Sequence, residues 1–134
     1  MNRRAGAQPG ARKLAWCFPK SLSREQATSL LLRAGNTAGL FLLRSKDTAA
    51  AGNVIALSVV ERPGEVFHHL LEHPAQAEPV ILNGKPIATC TTLNETIALL
   101  SSARPQLNWP VGLTRFLSTE SMTPVRWVGI HDRW

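Results

Sequence analysis

The sequence predicts an α+β fold: a central antiparallel β-sheet, three main strands plus a small hairpin, flanked by two α-helices. Three observations predict it. A capped segment with helical spacing follows Ser23. Three strand-sized apolar runs come next, joined by loop and turn residues. An Asn-Gly hairpin then leads into a second helical segment. Helix, meander, hairpin, helix and strand in that order suit a layered sheet with a helix on each face.

Each element has its own signal. Ser23-Arg24-Glu25-Gln26 is a capping-box pattern. Ala27, Leu30, Leu31 and Ala34 follow at helical spacing, and Gly35-Asn36 stops the helix. Gly39 to Arg44 is too short for a helix and reads as a buried strand. Ser45 to Asn53 reads as a loop. Val54 to Glu61 is rich in β-branched residues and forms the second strand, and Arg62-Pro63-Gly64-Glu65 turns the chain into a third, Val66 to Glu72. Asn83-Gly84, between Val80-Ile81-Leu82 and Pro86-Ile87-Ala88, is a strong hairpin signal. Leu93 to Ala103 is the second helix, ended by Pro105. Val111 to Leu117 is a last short strand. Val125 to Ile130 reads as a further strand, packed on this domain or opening the next.

The chain has 134 residues, 44% of them apolar and 18% charged, which fits one globular domain. It divides into a basic flexible tail over residues 1–13, a domain over 14–117, and an extension or the start of an adjoining domain over 118–134. No apolar run approaches the roughly 20 residues of a membrane span. The net charge of +6 suggests a nucleic-acid partner, but Arg3, Arg4, Arg12 and Lys13 all lie in the tail. The rest carries 11 basic side chains against 9 acidic ones. The basic residues are not clustered on one element, and no aromatic series interleaves them, so a nucleic-acid binder is the weaker reading. Two cysteines, Cys17 and Cys90, are too few for a disulfide framework, which points to a reducing, cytoplasmic setting.

Arg44 is the residue that invites chemistry. It closes the apolar strand Leu40-Phe41-Leu42-Leu43-Arg44. A buried charge costs several kcal/mol unless it is paired, at roughly this scale per ion. The nearest acids in sequence are Asp47 and Glu25. Two readings stay open from the strand alone: a strand-end arginine that reaches solvent, or an anion site that uses the guanidinium fork on a phosphate.

The stretches Trp16-Cys17-Phe18-Pro19, Ser23-Arg24-Glu25-Gln26-Ala27, Gly39-Leu40-Phe41-Leu42-Leu43-Arg44, Leu57-Ser58-Val59 and His68, in this order and spacing, resemble a Src-homology-2 domain from about Trp16 to Leu117. His68-His69-Leu70-Leu71-Glu72 and Trp109-Pro110-Val111-Gly112-Leu113 resemble the tensin-type branch most. The resemblance implies a non-enzymatic receptor for tyrosine-phosphorylated peptides, monomeric, without cofactor or metal. It implies that Arg44 holds the phosphate and that Arg24 reaches it from the first helix. Ser45 and Thr48 become loop donors, Lys46 a third cation where serine is common, and His68 a lining residue. His69, Leu70 and Ile87 are the expected peptide-specificity residues. The loop after Arg44 is longer than is usual in that family.

Two further readings compete. His69-Leu70-Leu71-Glu72-His73 spells H-x-x-E-H, which binds zinc only when both histidines share one face of a helix. Pro74 follows at once, against that placement. The other alternative is a phosphate-independent scaffold of the same fold, against which the presence of both Arg24 and Arg44 counts. The sequence from Ser118 to Trp134, rich in tryptophan, suggests that the chain is a piece of something longer.

Overall fold

The structure, a computed structural model, describes residues 17–19, 21–46, 53–75 and 77–127. The tail, Trp16, the loop residues 47–52 with Thr48, and residues 128–134 with Trp134 lie outside the described residues. Two helices flank one sheet: α1 (Arg24–Arg33) and α2 (Leu93–Leu99). The strands are β1 (Leu40–Ser45), β2 (Asn53–Arg62), β3 (Glu65–His73), β4 (Val80–Leu82), β5 (Lys85–Ile87), β6 (Arg115–Leu117) and β7 (Pro124–Arg126). Their order across the sheet is β5-β4-β3-β2-β1-β6-β7. All neighbours are antiparallel except β1 and β6, which are parallel.

The local chemistry explains the elements. Ser23 caps α1, with the Gln26 side chain returning the bond to the Ser23 N–H. Asn83 and Gly84 have φ of 51° and 88°, the pair of positive values that a tight hairpin turn requires. Gly39, at φ 91°, is packed so closely that a Cβ would stand 2.5 Å from the Gly112 carbonyl oxygen. Pro86 sits on β5, the sheet edge, where its missing N–H is tolerated.

Side-chain alternation divides the sheet into two faces. Phe41, Leu43, Ile55, Leu57, Val59 and Leu71 pack with Leu93 and Ile97 of α2 and with Leu100, the residue just past it. Leu40, Leu42 and Val60 pack with Ala27 and Leu31 of α1. Fully burying a leucine such as Leu31 contributes about 1.5–3 kcal/mol. The α1 face therefore carries the intervening positions of β1, β2 and β3, Arg44 among them.

Three expectations change. The second helix ends at Leu99 rather than Ala103, because tertiary bonds claim its last carbonyls. Arg104 Nε donates to Leu99 O at 2.9 Å, and Trp109 Nε1 to Leu100 O at 3.0 Å. The last predicted strand shrinks to Arg115–Leu117, since Leu113 N–H bonds the Leu100 carbonyl and Thr114 N–H the Gly39 carbonyl. The stretch from Val125 is packed on this domain: β7 pairs with β6, and Trp127 meets Phe116 edge-on at 5.2 Å.

Candidate functional site

The α1 face of the sheet holds a charged cluster in an apolar setting. The register places Arg44, Ala56 and Leu70 in one cross-strand row, and Leu42, Ser58 and His68 in the next. Arg44 is 5% exposed. Its Nη1 donates to the Leu22 carbonyl at a long 3.4 Å, and its Nε has no hydrogen-bond partner among the described residues. Burial lowers the Arg44 pKa, Arg24 lowers it further, and Glu25 opposes both. Arginine does not give up its proton in proteins, so the cation stays and the site is short of negative charge. A buried donor left unpaired costs about 1–3 kcal/mol, which an incoming anion recovers.

Beside it runs a chain of three side chains. Thr28 Oγ1 donates its one proton to the Arg24 carbonyl at 2.9 Å. The same oxygen lies 3.3 Å from His68 Nε2, so it accepts from that nitrogen. In a neutral ring His68 Nδ1 is then the acceptor, 2.7 Å from Ser58 Oγ. Burial first, then Arg24 and Arg44, push the His68 pKa down to about 4. His68 thus lines the site as a fixed neutral ring, while Arg24 and Arg44 supply the positive field.

The other expected residues fall in different places. Lys46 is exposed, one residue past β1, with its N–H on the Val54 carbonyl. Ser45 points the opposite way from Arg44, and its hydroxyl lies 3.4 Å from Cys17 Sγ. The structure does not bring Ser45 together with Arg44, because neighbouring strand residues face opposite sides. Thr48 lies outside the described residues.

The predicted specificity group also divides. His69 faces α2, its ring 4.7 Å from that of Trp109. Asn83 Oδ1 accepts the Leu70 N–H, so Asn83 Nδ2 is the donor to His69 Nδ1 at 3.0 Å. His69 Nε2 then donates to Glu61 at 3.1 Å. Burial lowers the His69 pKa, and Glu61 opposes it. Ile87 shares this face and is buried in the core. Leu70 lies on the other face, in the Arg44 row, and forms no common pocket with them.

The H-x-x-E-H reading is overturned by placement. His69, Glu72 and His73 lie on β3. At about 3.3 Å per residue the histidines are roughly 13 Å apart along the strand, and Glu72 points to the opposite face. Among the described residues no group of three or more His, Cys, Asp or Glu side chains is placed to hold a metal.

Sequence reasoning missed Thr28, Ser58, Glu61 and Asn83. Only Thr28 left a signal: it follows Arg24 by four positions and so shares its helix face.

Comparison with known proteins agrees with this architecture. A family model described as SH2 domain matches residues 16–97. No curated protein matches the sequence significantly. Among solved structures, the solution structure of the VAV1 SH2 domain complexed with a tyrosine-phosphorylated peptide from SLP76 is similar, at TM-score 0.52 and 15% identity. That match covers 100% of this chain and 91% of the other.

Proposed function

Since the chain belongs to the SH2 domain family, we propose that it binds tyrosine-phosphorylated peptides, with the phosphate seated on Arg44. The observation that carries this reading is Arg44 itself, 5% exposed with its Nε unpaired among the described residues and Arg24 adding positive charge. A phosphate of charge near −2 relieves that excess. Its oxygens suit the guanidinium fork, and each charge-assisted bond is worth about 1.5–3 kcal/mol. Arg44 lies at the floor of the α1 face, so a phosphotyrosine side chain reaches it and a phosphoserine is too short.

Arg24 is exposed at the first turn of α1 and meets the phosphate from above. His68 forms the wall, held by Thr28 and Ser58. Lys46 adds a third cation at the rim. Thr48 joins the set as a loop donor on the family resemblance alone. The module works by recruitment rather than catalysis. Within the family we place it nearest the tensin-type branch, on the segments around Trp16, His68 and Trp109. No helix among the described residues is long and apolar enough to cross a membrane. Cys17 and Cys90 are free, buried thiols, which fits a cytoplasmic setting.

The test is a titration with a phosphotyrosine peptide, its unphosphorylated copy and a phosphoserine copy, against wild type and Arg44→Ala. Binding confined to the phosphotyrosine peptide and abolished by the substitution is the expected result. Equal binding to all three, weakened by salt alone, would refute the reading in favour of charge attraction by the basic tail.

A further inference from the structure

Ser23 stands beside the buried cation. It is exposed, and it caps α1, its hydroxyl oxygen accepting the Gln26 N–H at 3.1 Å. It follows a turn in which the Leu22 N–H bonds the Pro19 carbonyl. The Leu22 carbonyl, one bond before Ser23, accepts from Arg44 Nη1. In sequence, Lys20 lies three places before Ser23 and Arg24 one place after.

Elementary geometry sets how far Ser23 is from the guanidinium. In a trans peptide the carbonyl oxygen lies on the same side as the next Cα, about 2.8 Å from it. Arg44 Nη1 is 3.4 Å from Leu22 O, so the Ser23 Cα lies within roughly 6 Å of Nη1. The phosphorus of a phosphoserine stands roughly 4 Å from its own Cα, with its oxygens about 1.5 Å beyond. Rotation about the side-chain bonds of a phosphorylated Ser23 therefore brings those oxygens to the guanidinium.

The surroundings favour the added charge. Arg44 is 5% exposed, and its Nε has no partner among the described residues. Arg24 strengthens the positive field there, and Glu25 opposes it with the smaller effect. The unpaired N–H groups at the start of α1 draw an anion to the same place.

We propose that Ser23 is a phosphorylation site whose phosphate occupies the Arg44 site from within the chain and closes it to phosphotyrosine. The inference rests on the phosphotyrosine reading above and adds a means of regulation to it. A serine kinase whose acidic cleft selects serines flanked by Lys and Arg transfers the γ-phosphoryl group of ATP. The Ser23 Oγ–P bond forms as the bond from the γ-phosphorus to the bridging oxygen breaks. ADP leaves with that oxygen, and the hydroxyl proton passes to the kinase's catalytic aspartate. A phosphoserine on a partner peptide is too short to reach Arg44, whereas this one starts beside it. Its tether holds it at an effective concentration in about the millimolar range, which a peptide at micromolar levels does not match.

The test uses the full chain with phosphoserine installed during translation at position 23, or at position 29 as a control. Ser29 is exposed on α1, about 9 Å further along the helix axis. Phosphotyrosine-peptide affinity is expected to fall at least about tenfold with the phosphate on Ser23, and less than about twofold with it on Ser29. In phosphorus NMR the second pKa of the Ser23 phosphate is expected below its ordinary value of about 6, and back near that value in Arg44→Met. Incubated with ATP and the catalytic subunit of a kinase selective for Lys/Arg-x-x-Ser, the unmodified chain is expected to gain a phosphate at Ser23 by mass spectrometry. No phosphate at Ser23, unchanged affinity, an equal fall with the phosphate on Ser29, or an ordinary second pKa with Arg44 in place would each overturn the proposal. If Arg44→Ala still abolishes peptide binding by the unmodified chain in that case, the phosphotyrosine reading stands without it. If wild type binds no phosphotyrosine peptide, both fall.

Discussion

Arg44 and Leu70 stand in one cross-strand row with Ala56 alone between them. Neighbouring strands are about 4.8 Å apart, so the floor between the two side chains is one methyl group over roughly 10 Å. Ala56 is 3% exposed, and a larger side chain there fills the room beside the guanidinium. Ala56→Leu is expected to weaken phosphopeptide binding at least about tenfold. Overpacking costs roughly 1–3 kcal/mol of stability in addition. Calorimetric titration of the folded variant checks this; wild-type affinity would place the phosphate away from this row.

Arg44 is a liability in the unliganded protein. Its Nε is buried and unpaired among the described residues, and the cation is desolvated beside Arg24. Arg44→Met keeps the side-chain length and removes both costs. Stability is expected to rise by about 1 kcal/mol while phosphopeptide binding is lost. Denaturant unfolding measures the first quantity. A fall of stability instead would mean that the arginine serves the fold.

His68 makes stability depend on acid. Above its ordinary pKa of 6.5 the ring is neutral in both folded and unfolded chains. Between 6.5 and about 4 the unfolded chain takes a proton that the folded one refuses. Stability is therefore expected to fall as pH drops through this window. Denaturant midpoints at about pH 7 and about pH 4.5 should differ less in His68→Gln than in wild type. The difference will not vanish, because burial lowers the His69 pKa as well. An equal pH slope in the two proteins would contradict the depressed ring.

Asn83 serves both the turn and the edge of β3. Its φ of 51° is one that glycine adopts freely, so Asn83→Gly removes the side-chain bonds to Leu70 and His69 without straining the turn, and adds glycine's entropy cost on folding. The expected loss is about 1 kcal/mol, with faster exchange of the Leu70 amide. Asn83→Ala should cost more, since alanine is strained at that φ. Hydrogen exchange and thermal unfolding of both variants read this out. Equal losses would show that the turn imposes no strain.

Much of the fold was legible because apolar runs and turn residues are local signals. The three main strands lie within a residue or so of their predicted spans, and the capping box at Ser23 needs only four residues to be read. What was not legible depends on register and on distant partners. His68 and His69 are neighbours of one type, yet one faces α1 and the other α2. Only the pairing of β3 with β2 decides which. Leu70 was grouped with His69 for the same reason. Leu93 to Ala103 has continuous helical spacing, and only the arrival of Arg104 and Trp109 at its carbonyls ends it early. Arg44 was legible as a misplaced charge; that its Nε lacks a partner among the described residues was not.

The alternation of the sheet has a numerical form. The registers pair Leu42 with Ser58 and Ser58 with His68, even with even up to the irregularity after Val60, beyond which Arg62 pairs with Glu65. Short of that irregularity, the even-numbered positions of these strands lie on the α1 face with Arg44, and the odd-numbered ones on the face of the larger core beneath α2. Parity thus sorts inherited variation. Changes at odd numbers act first on how much folded protein a cell retains. If Arg44 seats the phosphate as proposed, changes at even numbers near it act first on what that protein recognises, which leaves that face free to diverge while the opposite core stays the same.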